Sequence, residues 1–118
     1  MNSVKLIPLN TFTDRRGAVS VLEDIPFKVN RIFTIYNVPS STMRGGHAHK
    51  KCHQLLIATC GSVLVKVGGK TYVLDCPTSA LYIPPKYRVD IMFMNEDSVL
   101  VVLASEKFDK DDYIHGTN

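Results

Sequence analysis

The sequence predicts an all-β fold, either a jelly roll or a small antiparallel barrel. Three observations carry that prediction. Apolar residues recur with a period of two or in short β-branched runs, no window holds a helical stripe, and turn formers separate the runs at close spacing. Val4–Leu9 comes first, ahead of a turn signal at Asp14…Gly17, and Ala18–Glu23 follows it up to Asp24-Ile25-Pro26. Arg31–Tyr36 then runs to Pro39-Ser40-Ser41. Leu55–Thr59 and Ser62–Val67 are parted by Gly61, and Lys70–Leu74 follows Gly68-Gly69. Those paired glycines supply the positive φ angles of a two-residue hairpin turn, which makes this the best-defined element of the chain. Pro77 precedes Ala80–Ile83, Pro84-Pro85 precedes Val89–Phe93, and Asn95-Glu96-Asp97 precedes Ser98–Ala104. The polar tail from Ser105 to Asn118 is expected to form one short helical turn or to lie extended.

At 118 residues, with 45% hydrophobic and 21% charged, the chain has the make-up of one globular domain spanning 1–118. A length of this order buries enough surface for a core without disulfides and leaves no room for a second domain. The net charge is +3, and its cations come in pairs (Arg15-Arg16, Lys50-Lys51), not in a run. That pattern argues against nucleic acid and against a membrane surface, and it leaves a small anionic ligand open. Cys52, Cys60 and Cys76 form no CxxC and cannot all pair, so they read as core or near-core fillers in a reducing compartment, with the cytoplasm favoured. The N-terminus lacks the apolar stretch of a signal peptide.

A closed sheet of this size has an interior that can hold one ligand. The segment from Met43 to Gln54 concentrates three of the four histidines with Arg44, Lys50, Lys51 and two glycines. In an extended chain, side chains two apart share a face, so His47 and His49 project together, with Lys51 and His53 following if the strand stays regular. Three readings are open. The imidazoles are surface residues without a role; or, with His53, they ligate zinc, iron or manganese; or they move protons on a bound anion held by the neighbouring cations.

His-x-His followed closely by a further ligand position resembles the first motif of the cupin superfamily. Here that position is His53 or Gln54, and Pro84 to Asp90 holds no histidine, so the metal quartet is incomplete. Read more widely, Arg31–Tyr36, Arg44-Gly45-Gly46-His47-Ala48-His49-Lys50-Lys51, Gln54-Leu55-Leu56, Gly61-Ser62-Val63, Val99–Ser105 and Asp112-Tyr113-Ile114 resemble the sugar nucleotide 3,4-ketoisomerases. These are small WxcM-like cupins acting on dTDP-4-keto-6-deoxyglucose. The resemblance runs from about Leu6 to Ile114. It implies a cupin-type jelly roll, a cytoplasmic homodimer, a site without metal or other cofactor, and a part in making deoxy or amino sugars for surface glycans. Val4–Leu9 is a candidate for exchange between subunits. The chain departs from the family after Pro84-Pro85, where a tryptophan followed by Arg or His is usual and Lys86-Tyr87-Arg88-Val89 stands instead.

Such an isomerisation needs one or two groups that titrate near neutrality and donors for oxyanion charge. His49 and His47 are the candidates for proton transfer, with Tyr36 as a hydroxyl donor. Arg44, beside two glycines that permit close backbone approach, is the candidate cation at the substrate. Arg16, Lys51 and Arg88 are candidates for holding the diphosphate. Two alternatives stand beside this reading: a metal-dependent cupin enzyme using His47, His49 and His53, and a non-catalytic module that binds sugar nucleotides.

Overall fold

A computed structural model describes residues 3–114; His115, read from the sequence as uninvolved, lies outside the described residues. The expectation of an all-β jelly roll holds. One antiparallel sheet orders β1 (Lys5–Pro8), β9 (Ser79–Ile83), β6 (Gln54–Cys60), β11 (Val99–Ala104) and β4 (Arg31–Ile35). The facing sheet orders β12 (Tyr113–Ile114), β5 (Thr42–His49), β10 (Val89–Phe93), β7 (Val63–Val67) and β8 (Lys70–Leu74). β2 (Asn10–Asp14) and β3 (Gly17–Val21) form a separate hairpin. Among the described residues no helix is long and apolar enough to cross a membrane.

The period-two runs account for the core. Leu56, Leu81, Leu100 and Val102 of the first sheet meet Val63, Val65, Leu74, Ile91 and Phe93 of the second, and Phe93 is fully buried. The Gly68-Gly69 turn joins β7 to β8 with φ of +60° and +76°, as a two-residue hairpin turn requires. β1 pairs with β9 of its own chain. On the other side of the first sheet a second apolar cluster of Leu55, Ala80 and Tyr82 is covered by Leu22, Ile25 and Phe27 from the connection that precedes β4.

Two expectations need correction. β2 is absent from the predicted runs because every residue of Asn-Thr-Phe-Thr-Asp is exposed, so it carries no buried face to read. Of the three cysteines, only Cys52 is buried; Cys60 and Cys76 are exposed and are not core fillers. The tail does both of the things expected of it, a 3-10 turn at Lys110–Asp112 capped by the Asp109 side chain and then an extended pair of residues, β12.

Candidate functional site

Between the sheets a cavity of about 590 Å³ opens against β4, β5 and the 36–39 connection. β5 gives it Thr42, Arg44, His47 and His49, and the way it does so depends on Gly45-Gly46. Arg44 and His47 are three residues apart, so a regular strand would turn them to opposite faces. Along β10, however, Ile91 pairs with Arg44, Asp90 with Gly45 and Val89 with His47, so that Gly46 is the extra residue of a β-bulge. Ile91 and Val89 both point into the core, and their partners Arg44 and His47 therefore share the inner face with Thr42 and His49. Both glycines have positive φ, +93° and +82°. The close approach at Gly45 is to the Val89 carbonyl, which a Cβ would meet at 2.5 Å; the glycines serve the bulge, where the sequence suggested room for a ligand.

The histidine rings lie 5.7 Å apart, edge to face, and Tyr113 packs against both at 4.5 and 4.8 Å. Behind His49, its Nδ1 meets the Oδ2 of Asp112 at 3.1 Å. That carboxylate is 4% exposed and also accepts the backbone N–H of Lys51 and of Cys52, at 2.9 and 3.3 Å. Cys52 lies close enough to complete a His49–Cys52–Asp112 group of metal-type donors within 4.8 Å of one another. The carboxylate oxygens there already accept from N–H groups, and burial pushes the Cys52 thiol above its ordinary value.

Of the residues singled out from the sequence, Tyr36, Arg44, His47 and His49 line the cavity. Arg16, Lys51 and Arg88 do not. Arg16 sits at the tip of the β2–β3 hairpin, 84% exposed, where it pairs with Asp14 at 2.6 Å and holds that carboxyl below its ordinary value. Lys51 lines a separate polar hollow with Asn30 and Glu106. Arg88 reaches Asp90 at 3.3 Å, and Tyr87 packs against the core beside Gly68. β5 ends at His49, so Lys51 and His53 do not continue its inner face. His53 turns to the opposite side of the first sheet, bonds the Tyr82 hydroxyl at 2.7 Å and stacks on Phe27. The His47, His49 and His53 metal set is therefore not assembled.

Arg31, Asp112 and Tyr113 belong to the site and were given no role from the sequence. Arg31 had a signal, since it shares the inward parity of Phe33 and Ile35 on β4, and its guanidinium lies 4.3 Å over the Phe33 ring. Asp112 stood in the Asp112-Tyr113-Ile114 string of the resemblance, but nothing in that polar tail assigned it a partner. Among the described residues the cavity lining carries Arg31 and Arg44 and no carboxylate, and neither arginine has an ion-pair partner. An enclosure with two guanidiniums, two imidazoles and no acid on its wall suits an anionic ligand with a proton to give up.

The model of the family described as FdtA, WxcM-like, C-terminal, matches residues 2–118. A TDP-4-oxo-6-deoxy-alpha-D-glucose-3,4-oxoisomerase from Aneurinibacillus thermoaerophilus is 33% identical over 117 residues, covering 93% of this chain and 84% of that protein. A double mutant of the QdtA 3,4-ketoisomerase from Thermoanaerobacterium thermosaccharolyticum, in complex with TDP, superposes with a TM-score of 0.90 at 38% identity, covering 96% of this chain and 87% of the other. Another mutant of QdtA, in complex with TDP-4-keto-6-deoxyglucose, gives 0.85 at 37% identity over 96% and 87% of the two chains.

Proposed function

Because the chain belongs to the FdtA family of WxcM-like proteins, matched over residues 2–118, we propose that it is a TDP-sugar 3,4-ketoisomerase that turns a 4-keto-6-deoxyhexose into its 3-keto isomer. The relatives' names supply the substrate class. One observation of this chain carries the chemistry: His47 and His49 stand 5.7 Å apart on the wall of a cavity that also presents Arg44 and Tyr36 and, among the described residues, no carboxylate.

The ketone at carbon 4 acidifies the hydrogen on carbon 3. One imidazole removes that proton, the electron pair forms the carbon 3–carbon 4 double bond, and negative charge gathers on the oxygen of carbon 4. Protonation of carbon 4, with transfer of the carbon 3 hydroxyl proton to the oxygen of carbon 4, leaves the ketone at carbon 3. The second imidazole serves the carbon 4 side, and no redox group takes part. Tyr36 and Arg44 stabilise the oxyanion, and Arg31, the other guanidinium of the lining, holds the diphosphate. The cytoplasm, where nucleotide sugars are made, is the compartment this substrate implies.

A homodimer fits the β2–β3 hairpin, which leaves Phe12 and Val19 66% and 60% exposed as a directly paired apolar couple. A second copy is the covering this reading assigns, and a monomer by light scattering would contradict it.

The test is to incubate the protein with dTDP-4-keto-6-deoxyglucose in deuterated water and follow carbon-bound hydrogen by NMR. Exchange at carbon 3 and a 3-keto product are expected; wild type giving neither would sink the reading. His47→Asn and His49→Asn, made separately, should each depress turnover, and two unaffected variants would remove both rings from the mechanism.

A further inference from the structure

We propose that Asp112 is the positioning residue that fixes the tautomer and the orientation of His49. The inference rests on reading His49 as a proton-transfer group. A carboxylate at 4% exposure is costly to bury unless its charge is met by donors. Asp112 has no Lys or Arg side chain against it among the described residues; its partners are two backbone N–H groups and the Nδ1 of His49. An ionised carboxylate only accepts, so Nδ1 must carry the hydrogen. In the neutral ring the lone pair then falls on Nε2, the nitrogen left to the cavity that His49 lines.

The carboxylate is itself rigidly held. Its 3-10 turn is capped by Asp109, the Lys50 N–H donates to the Asp112 carbonyl at 2.6 Å, and the next two residues pair with β5 as Tyr113 to His49 and Ile114 to Ala48. Base and orienting acid are thus fastened to each other through main chain on both sides. Tyr113 covers one flank of the ring at 4.8 Å, with His47 beyond it at 5.7 Å. A half-turn about the Cβ–Cγ bond would set a carbon against the carboxylate and give up the hydrogen bond. When Nε2 takes the substrate proton, the ring becomes imidazolium opposite a fixed negative charge; the Nδ1 proton stays where it is, and returning the Nε2 proton restores the starting state.

The first test uses the wild-type protein. In protein labelled with ¹⁵N-histidine, at a pH where the ring is neutral, His49 is expected to show the Nδ1–H tautomer, its signals assigned by their loss in His49→Asn. An Nε2–H tautomer would overturn the proposal. The second test is Asp112→Asn, whose amide N–H can face Nδ1 and turn the tautomer over. We expect kcat to fall about 100-fold or more with KM within about threefold; a folded variant with kcat within about threefold of wild type would overturn the proposal. If that variant does not fold, the wild-type spectrum decides. A wild type without turnover would defeat the activity reading and leave the tautomer result standing by itself.

Discussion

Replacing Gly45 by alanine is expected to destabilise the protein about three times as much as the same change at the adjacent Gly46. Both residues lie in the left-handed region, at φ of +93° and +82°. An L-residue there costs roughly 1–2 kcal/mol, offset by the roughly 0.4–1 kcal/mol that alanine gains by restricting the unfolded chain. Strain alone therefore leaves about 1 kcal/mol at either site. At Gly46 nothing is added, because the new Cβ would sit 3.6 Å from Arg88 Nη2 and Asp90 Oδ1, an ordinary contact. At Gly45 it would lie 2.5 Å from the Val89 carbonyl oxygen, a backbone atom that can retreat only if β5 and β10 move apart. Overpacking of that kind adds about 1–3 kcal/mol. For 118 residues the unfolding entropy is about 250 cal/mol/K, so each kcal/mol moves Tm by about 4 °C. Gly46→Ala should lower Tm by about 4 °C and Gly45→Ala by about 12 °C, measured by circular dichroism. The larger change should also lower kcat/KM, since the displaced strand carries Arg44 and His47. Equal shifts in Tm, or a larger one at Gly46, would refute the bulge argument.

Other outcomes follow from the same structure. Phe93→Ala should cost about 3–5 kcal/mol, because the ring is fully buried between the sheets; a loss below about 1 kcal/mol in urea unfolding would show the core to be looser than described. In the native protein a thiol reagent should modify Cys60 and Cys76 quickly and Cys52 only after unfolding, and three fast thiols would contradict its burial. Burial raises both the Cys52 thiol and the Tyr82 phenol above their ordinary values of 9.0 and 10.0. Both groups ionise more readily unfolded, so stability is full below about pH 9 and falls as pH climbs past it. Tm measured from pH 7.5 to 10.5 should drop over the upper part of that range, and a flat profile would count against the desolvation argument.

The strands that bury one face were legible in the sequence, because burial writes itself as a period of two; Val63–Val67, Val89–Phe93 and Val99–Ala104 are the clearest cases. β2 left no such mark, having no buried face. Within the site, His47 and His49 could be paired by simple alternation. Arg44 could be associated with them only loosely, since the parity change at Gly46 depends on how β10 pairs, and pairing is a property of two strands at once. Regular alternation misled at Lys51 and His53, because β5 stops at His49. Asp112 was invisible as a partner, since no local pattern in a polar tail marks the one carboxylate that folds back beneath β5.

That last contact joins residues 63 positions apart. Closing a loop of that length costs on the order of 4 kcal/mol of chain entropy, recovered only once the remainder of the sandwich has formed. It also sets an order of events during synthesis. A ribosome that has released the chain through Ala104 has delivered the whole of the first sheet and four strands of the second, with the histidines already on the cavity wall. The carboxylate that steadies His49 emerges only afterwards. On the proposed role of Asp112, a chain cut ahead of Asp109 would lack the carboxylate that meets His49 Nδ1.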